Sequence, residues 1–125
     1  MSYGILIVSH VEQIAQGVPK LLKQVAPDIA ITFAGGTDDH EIGTSLAKNT
    51  AALEDNSATE ILAFYDLGSA KMNLEMASEF STKPVHLYDT ALIEGAYVSA
   101  SLLQAGVDLP EIEKQLELLQ IKGEG

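Results

Sequence analysis

His10 closes the run Ile5-Leu6-Ile7-Val8-Ser9, a stretch apolar enough for a buried strand. An imidazole at the carboxyl end of a strand stands where open α/β sheets collect ligands and chemistry, and it titrates near neutral pH. A second such strand, Glu60–Tyr65, runs into Asp66-Leu67-Gly68-Ser69-Ala70. If the two strands are neighbours, Asp66 stands beside His10. A carboxylate there accepts the Nδ1 proton, sets the tautomer, leaves Nε2 free and stabilises an imidazolium. Gly68 permits close backbone approach, and Ser69 is placed to cap the next helix, whose first N–H groups suit an anion. The plainer reading is that His10 merely begins a helix and that Asp66 and Ser69 merely cap one. Taken together, the residues favour a nucleophilic histidine with an orienting aspartate.

Other polar groups are weaker candidates. Gly35-Gly36-Thr37 follows a strand and reads first as a turn. Neither GxxxxGK[ST] nor GxGxxG occurs, so a nucleotide-binding loop has no support. Asp38-Asp39-His40-Glu41 resembles a metal cluster, but no second ligand group at a fitting spacing backs it, and no metal site is expected. Thr44-Ser45 adds hydroxyls at a helix start. His86 reads as structural, and Met72 and Met76 as core.

Strand–helix alternation must position these groups. Strands are expected at Tyr3–Ser9, Ile29–Ala34, Glu60–Tyr65 and Val85–Leu87. Between and after them lie helical patterns. The first carries Ile14, Val18, Leu21, Leu22 and Val25, with Pro19 either kinking the helix or standing in its first turn. The next are Ile42–Leu53, then Ser69–Phe80 with Met72, Met76 and Phe80 on one stripe. Thr90–Gln104 ends at Gly106, and Pro110–Leu119 turns Ile112, Leu116 and Leu119 inward. This pattern predicts an α/β fold: a doubly wound, mainly parallel four-stranded sheet of order 2-1-3-4 with helices on both faces. Residues 1–121 are expected to form one domain and residues 122–125 a frayed tail.

Composition narrows the function. Eighteen Asp and Glu face seven lysines and no arginine, for a net charge of -11. Nucleic acid and anionic membrane surfaces are disfavoured partners, whereas a basic protein face would be steered in. Without arginine, any phosphoryl group must rest on backbone N–H groups, hydroxyls and helix N-termini. Cysteine is absent, so thiol chemistry and disulfides are excluded. No apolar stretch is long enough for a membrane span, and no basic leader precedes the short Ile5–Val8 run. A cytoplasmic protein is the expectation.

Five motifs occur in order: ValSerHis at 8–10, AlaGlyGly at 34–36, IleGlyThr at 42–44, AspLeuGlySerAla at 66–70 and IleGluGlyAla at 93–96. Together they resemble the mannose-family enzyme IIA domains of the bacterial phosphotransferase system. They more closely resemble the phosphotransfer subunits of phosphoenolpyruvate-dependent dihydroxyacetone kinases. The likeness runs from about Tyr3 to Leu119. It implies a homodimer in which His10 is phosphorylated by the histidine-containing phosphocarrier protein. In the kinase branch the group passes to ADP held on a nucleotide-binding kinase subunit, so this chain binds no cofactor and ADP/ATP belongs to the partner. In the mannose branch it passes to a IIB domain of a sugar permease. The absence of a IIB-like module after residue 125, and a helical reading of Gly106–Gly125 in place of an exchanged strand, favour the kinase branch. On this reading His10 carries the phosphoryl group and Asp66 orients it. Ser9, Gly35, Gly36, Thr44, Gly68 and Ser69 are the candidates for holding phosphoryl oxygens.

Other classes fit less well. An aspartyl-phosphate receiver would use Asp66 as acceptor, but it wants an acidic pair after strand 1 and a lysine after a fifth strand. A histidine phosphatase or mutase clamps phosphate with arginines. A flavin-binding module wants an aromatic sandwich that is not evident.

Overall fold

In the computed structural model, which describes residues 2–122, the strands are β1 (Tyr3–Ser9), β2 (Ile31–Gly35), β3 (Glu60–Tyr65) and β4 (Val85–Tyr88). They form one parallel sheet of order β2-β1-β3-β4. The expected fold class and strand order are those observed. β1 is central and pairs on both sides, with Ile7 opposite Phe33 of β2 and Phe64 of β3. Alternate side chains therefore enter two cores. Leu6, Val8, Ile61, Ala63 and Tyr65 face one side; Ile5, Ile7, Leu62 and Phe64 face the other. Burial of each large aliphatic side chain contributes roughly 1.5–3 kcal/mol.

Five helices cover the two faces. α2 (Leu46–Asp55) and α3 (Lys71–Phe80) bury Ala52, Leu53, Leu74 and Ala77 on the first face. α1 (Glu12–Val25), α4 (Leu92–Gln104) and α5 (Leu109–Glu117) bury Val18, Leu22, Ala96, Ala100, Ile112 and Leu116 on the second.

Several boundaries differ from the sequence expectation. α1 begins at Glu12, and Pro19 lies well inside it, not in its first turn. Proline removes one helical N–H donor, but Pro19 is buried against the sheet and the helix continues to Val25. β2 starts two residues late and includes Gly35. α2 starts at Leu46, not Ile42, because Ser45 is its N-cap and accepts a hydrogen bond from the Lys48 N–H. Gly43 has φ 143, a backbone state that glycine adopts readily. A 3-10 turn, Gly68–Ala70, precedes α3.

The largest correction concerns α3. Met72 and Phe80 are 71% and 70% exposed, and Met76 is exposed as well. The buried stripe is Ala70, Leu74 and Ala77. At the other end of the chain, Lys122, the first residue of the expected tail, makes contacts with the body of the fold. Its ammonium donates to the carbonyls of Tyr65 (2.8 Å) and Thr90, and its N–H donates to the Asp89 carbonyl. Residues 123–125 lie outside the described residues.

Candidate active site

The order β2-β1-β3 delivers His10 and Asp66 side by side at the carboxyl edge of the sheet. His10 Nδ1 lies 2.8 Å from Asp66 Oδ1, and the His10 main-chain N–H donates to Oδ2 at 3.0 Å. Ser9 donates its hydroxyl to the same Oδ2 at 2.7 Å, and the Leu67 N–H reaches Oδ1 at 2.8 Å. Burial alone would raise the Asp66 carboxyl. The four hydrogen bonds outweigh it and hold the group below the ordinary carboxylate range. Asp66 is therefore ionised at neutral pH and accepts from Nδ1, which in the neutral ring sets the tautomer and leaves the lone pair on Nε2.

Ser69 Oγ lies 2.6 Å from Nε2, and the His10 side chain is only 14% exposed. With Nδ1 protonated, Ser69 is the donor. The expected helix cap is absent: neither the 3-10 turn nor α3 has a side-chain cap hydrogen bond. Ser69 serves the imidazole instead.

The remaining candidates divide. Ser9 is fully buried, and its hydroxyl also accepts from the Val11 N–H at 3.1 Å. It steadies Asp66. Gly35 and Gly36 lie at the end of β2. A Cβ on Gly35 would come within 2.6 Å of Ala15 Cβ, so this glycine lets α1 close on the sheet. The Gly36 N–H donates to the Ser9 carbonyl. Thr44 does stand by the site: the neighbouring Gly43 N–H holds the His10 carbonyl at 2.9 Å. Its hydroxyl accepts from Asn73 Nδ2 at 3.0 Å, tying the loop to α3. Gly68 opens the 3-10 turn, and a Cβ there would meet nothing within 4 Å.

The acidic loop 38–41 is exposed and makes polar contacts. Asp38 accepts from Ser45, and His40 Nδ1 lies 2.6 Å from Glu12 Oε2. Lys48 reaches the same Glu12 oxygen at 2.9 Å. His40 and Lys48 together hold Glu12 below the ordinary carboxylate range. His86 pairs with Glu60 across β3 and β4, in keeping with a structural role. Two contributors escape sequence reasoning. Asn73 offers no motif. Asp89 follows β4 at the same edge of the sheet, the one signal that could have drawn attention to it.

A histidine just after the first strand, held by a carboxylate just after the third, on a doubly wound sheet, fits a class of phosphotransfer domain, and comparison with known proteins agrees. The family model described as PTS system fructose IIA component (EIIA-man) matches residues 4–113, and the chain belongs to that family. Within it, the chain is 46% identical over 122 residues to the phosphotransferase subunit of the PTS-dependent dihydroxyacetone kinase of Lactococcus lactis subsp. lactis, covering 98% of this chain and 99% of that one. It is 43% identical over 120 residues to the phosphoryl donor subunit of PEP-dependent dihydroxyacetone kinase 1 of Listeria innocua, covering 96% and 97%. A solved crystal structure of a protein of unknown function superposes with TM-score 0.83 at 32% identity, over the full length of both chains.

Proposed function

We propose that this chain is a phosphoryl carrier. His10 accepts the group from the histidine-containing phosphocarrier protein and passes it to ADP bound on a dihydroxyacetone kinase subunit. The observation that carries this reading is the imidazole held at Nδ1 by an ionised Asp66, with the Ser69 hydroxyl within hydrogen-bond reach of Nε2. The names of the Lactococcus and Listeria relatives support it.

The chemistry follows from the tautomer. Ser69 swings its hydroxyl away from Nε2 by rotation about χ1. The Nε2 lone pair attacks phosphorus, the N–P bond to His10 forms, and the N–P bond of the donor breaks with its electron pair returning to the donor imidazole. The His10 ring keeps its Nδ1 proton and becomes cationic, which the Asp66 charge offsets. Ser69 Oγ–H and the N–H groups that open the 3-10 turn are the donors at hand for the phosphoryl oxygens. In the second half-reaction a β-phosphate oxygen of ADP attacks phosphorus, and the pair returns to Nε2. This chain needs no bound cofactor of its own. The same reading carries a homodimer and a cytoplasmic location; no helix among the described residues is long and apolar enough to cross a membrane.

Label from phosphoenolpyruvate, supplied through the general phosphotransferase proteins, tests the reading. Wild-type chain becomes labelled and passes label to ADP-loaded kinase subunit, whereas His10→Gln stays folded and unlabelled. The phosphoprotein is acid-labile and stable in alkali, where an aspartyl phosphate would hydrolyse. Full labelling of His10→Gln would move the acceptor elsewhere. Transfer to a permease IIB domain, and not to the kinase subunit, would place the chain on the sugar-transport branch.

A further inference from the structure

The two side chains that grip the His10 imidazole, Asp66 at Nδ1 and Ser69 at Nε2, lie on one loop between β3 and α3. The ring is oriented only as well as that loop is fixed. Its middle is open: Leu67 is 59% exposed, and a Cβ on Gly68 would touch nothing. Its internal main-chain bond, Ala70 N–H to the Leu67 carbonyl at 2.9 Å, closes one turn and does not anchor the loop to the sheet. Asp66 is bonded to Ser9 and the His10 N–H at the start of the loop; beyond it, holding falls to the flanking Tyr65 and Lys71, together with the buried Ala70.

Both ends meet one carboxylate. The Tyr65 hydroxyl donates to Asp89 Oδ1, and Lys71 Nζ donates to Asp89 Oδ2 at 3.1 Å. Asp89 is itself strapped in place. Its carbonyl accepts from the N–H groups of Ile121 (3.2 Å) and Lys122 (3.0 Å), and Thr90 beside it bridges to Gln120. The Lys122 ammonium lies 4.4 Å from the centre of the Tyr65 ring and donates to the Tyr65 carbonyl, so the last residue of β3 is held at both its side chain and its main chain.

We propose that Asp89 is a positioning residue for phosphoryl transfer: it clamps the loop 66–70 at both ends and thereby fixes Asp66 and Ser69 on the imidazole. The clamp holds the main chain still while the Ser69 hydroxyl turns aside, so the site opens by one side-chain rotation and not by loop movement. Burial and the neighbouring Asp89 charge raise the Tyr65 phenol, which keeps its proton and remains a donor at neutral pH. The proposal rests on His10 being the phosphoryl acceptor, but its first test does not require transfer.

Asp89→Asn tests it. The amide cannot accept from both ends, since its Nδ2 meets a donor. In unphosphorylated protein, nitrogen and proton NMR of His10 should show the Nδ1–H signal broadened by exchange and the Nε2 shift altered, while the amide spectrum of the sheet is retained. Single-turnover transfer from the carrier at saturation should fall about ten- to a hundredfold, the scale of a small misplacement, with the half-saturating carrier concentration unchanged. Tyr65→Phe and Lys71→Met each free one end and should slow transfer less; neither should slow Asp89→Asn further, as expected of groups acting through one clamp. Folded Asp89→Asn with wild-type His10 signals and rate would overturn the proposal, as would a rate loss equal to the unfolded fraction. Should Asp89→Asn fail to fold, Lys71→Met decides by the same signals. If the wild-type chain takes no label at all, the carrier reading fails while the ring signals still decide the clamp.

Discussion

At the scale of single residues, the site is one imidazole between two oxygens, and its chemistry depends on Asp66 remaining ionised. Asp66→Asn should leave the fold intact and slow phosphoryl transfer by two to four decades. The amide removes the charge that offsets the cationic ring and can hold the wrong tautomer, and losses of about that size follow in triad-like pairs. Single-turnover labelling measures it, and an unchanged rate would reduce Asp66 to a helix-start residue. The same carboxylate links stability to pH. Its folded pKa lies below its unfolded one, so its contribution is complete above the unfolded value of about 3.9 and is lost as pH falls through the folded value. Acid unfolding of Asp66→Asn should therefore lose part of the wild-type pH dependence below that point. Ser69 shows why the site was only partly legible in the sequence. The His10–Asp66 pair follows from strand order, but a serine after a strand reads equally as a helix cap and as a ligand of the ring. Asp89 has no local signature, because its partners come from β3 and α3.

At the scale of elements, legibility depended on boundaries. β3 was readable to the residue because Glu60 and Asp66 flank a continuous apolar run. β2 was not, because Ile29 packs against the core without joining the strand. The start of α2 was masked by Ile42, an apolar residue that is 79% exposed in the preceding loop. α3 carries two apolar stripes of the right period, Met72-Met76-Phe80 and Ala70-Leu74-Ala77. Periodicity does not say which one faces inward, and the one with larger side chains faces out. The assignment has a direct test in chemical denaturation. Leu74→Ala should cost about 2–5 kcal/mol as a cavity-forming change in a buried site. Met72→Ser should stay within about 0.5 kcal/mol of wild type, as surface changes usually do. A large loss from Met72→Ser would return Met72 to the core.

At the scale of the whole molecule, the net charge of -11 acts on encounter before any contact forms. A carrier or kinase surface that is basic would be drawn in, and screening lengths of about 8 Å at physiological ionic strength would weaken the pull. Second-order transfer rates should fall as salt rises, and charge reversal at Asp39 or Glu41, both exposed in the segment before Gly43, whose N–H holds the His10 carbonyl, should lower them at low salt. Rates indifferent to salt would mean that shape alone selects the partners. The strand order has a further consequence for how the molecule comes to be active. His10 and Asp66 are 56 residues apart in the chain and meet only when β1 accepts β3 on its second edge. Such distant pairings form late, because the intervening chain must be closed before the contact rewards it. A nascent chain that has not yet emitted residue 66 holds His10 without the carboxylate that orients it, so the proposed reactivity would arrive only with the pairing of β1 and β3, and the His10 Nδ1–H resonance should appear in refolding with the slowest phase that builds the native state.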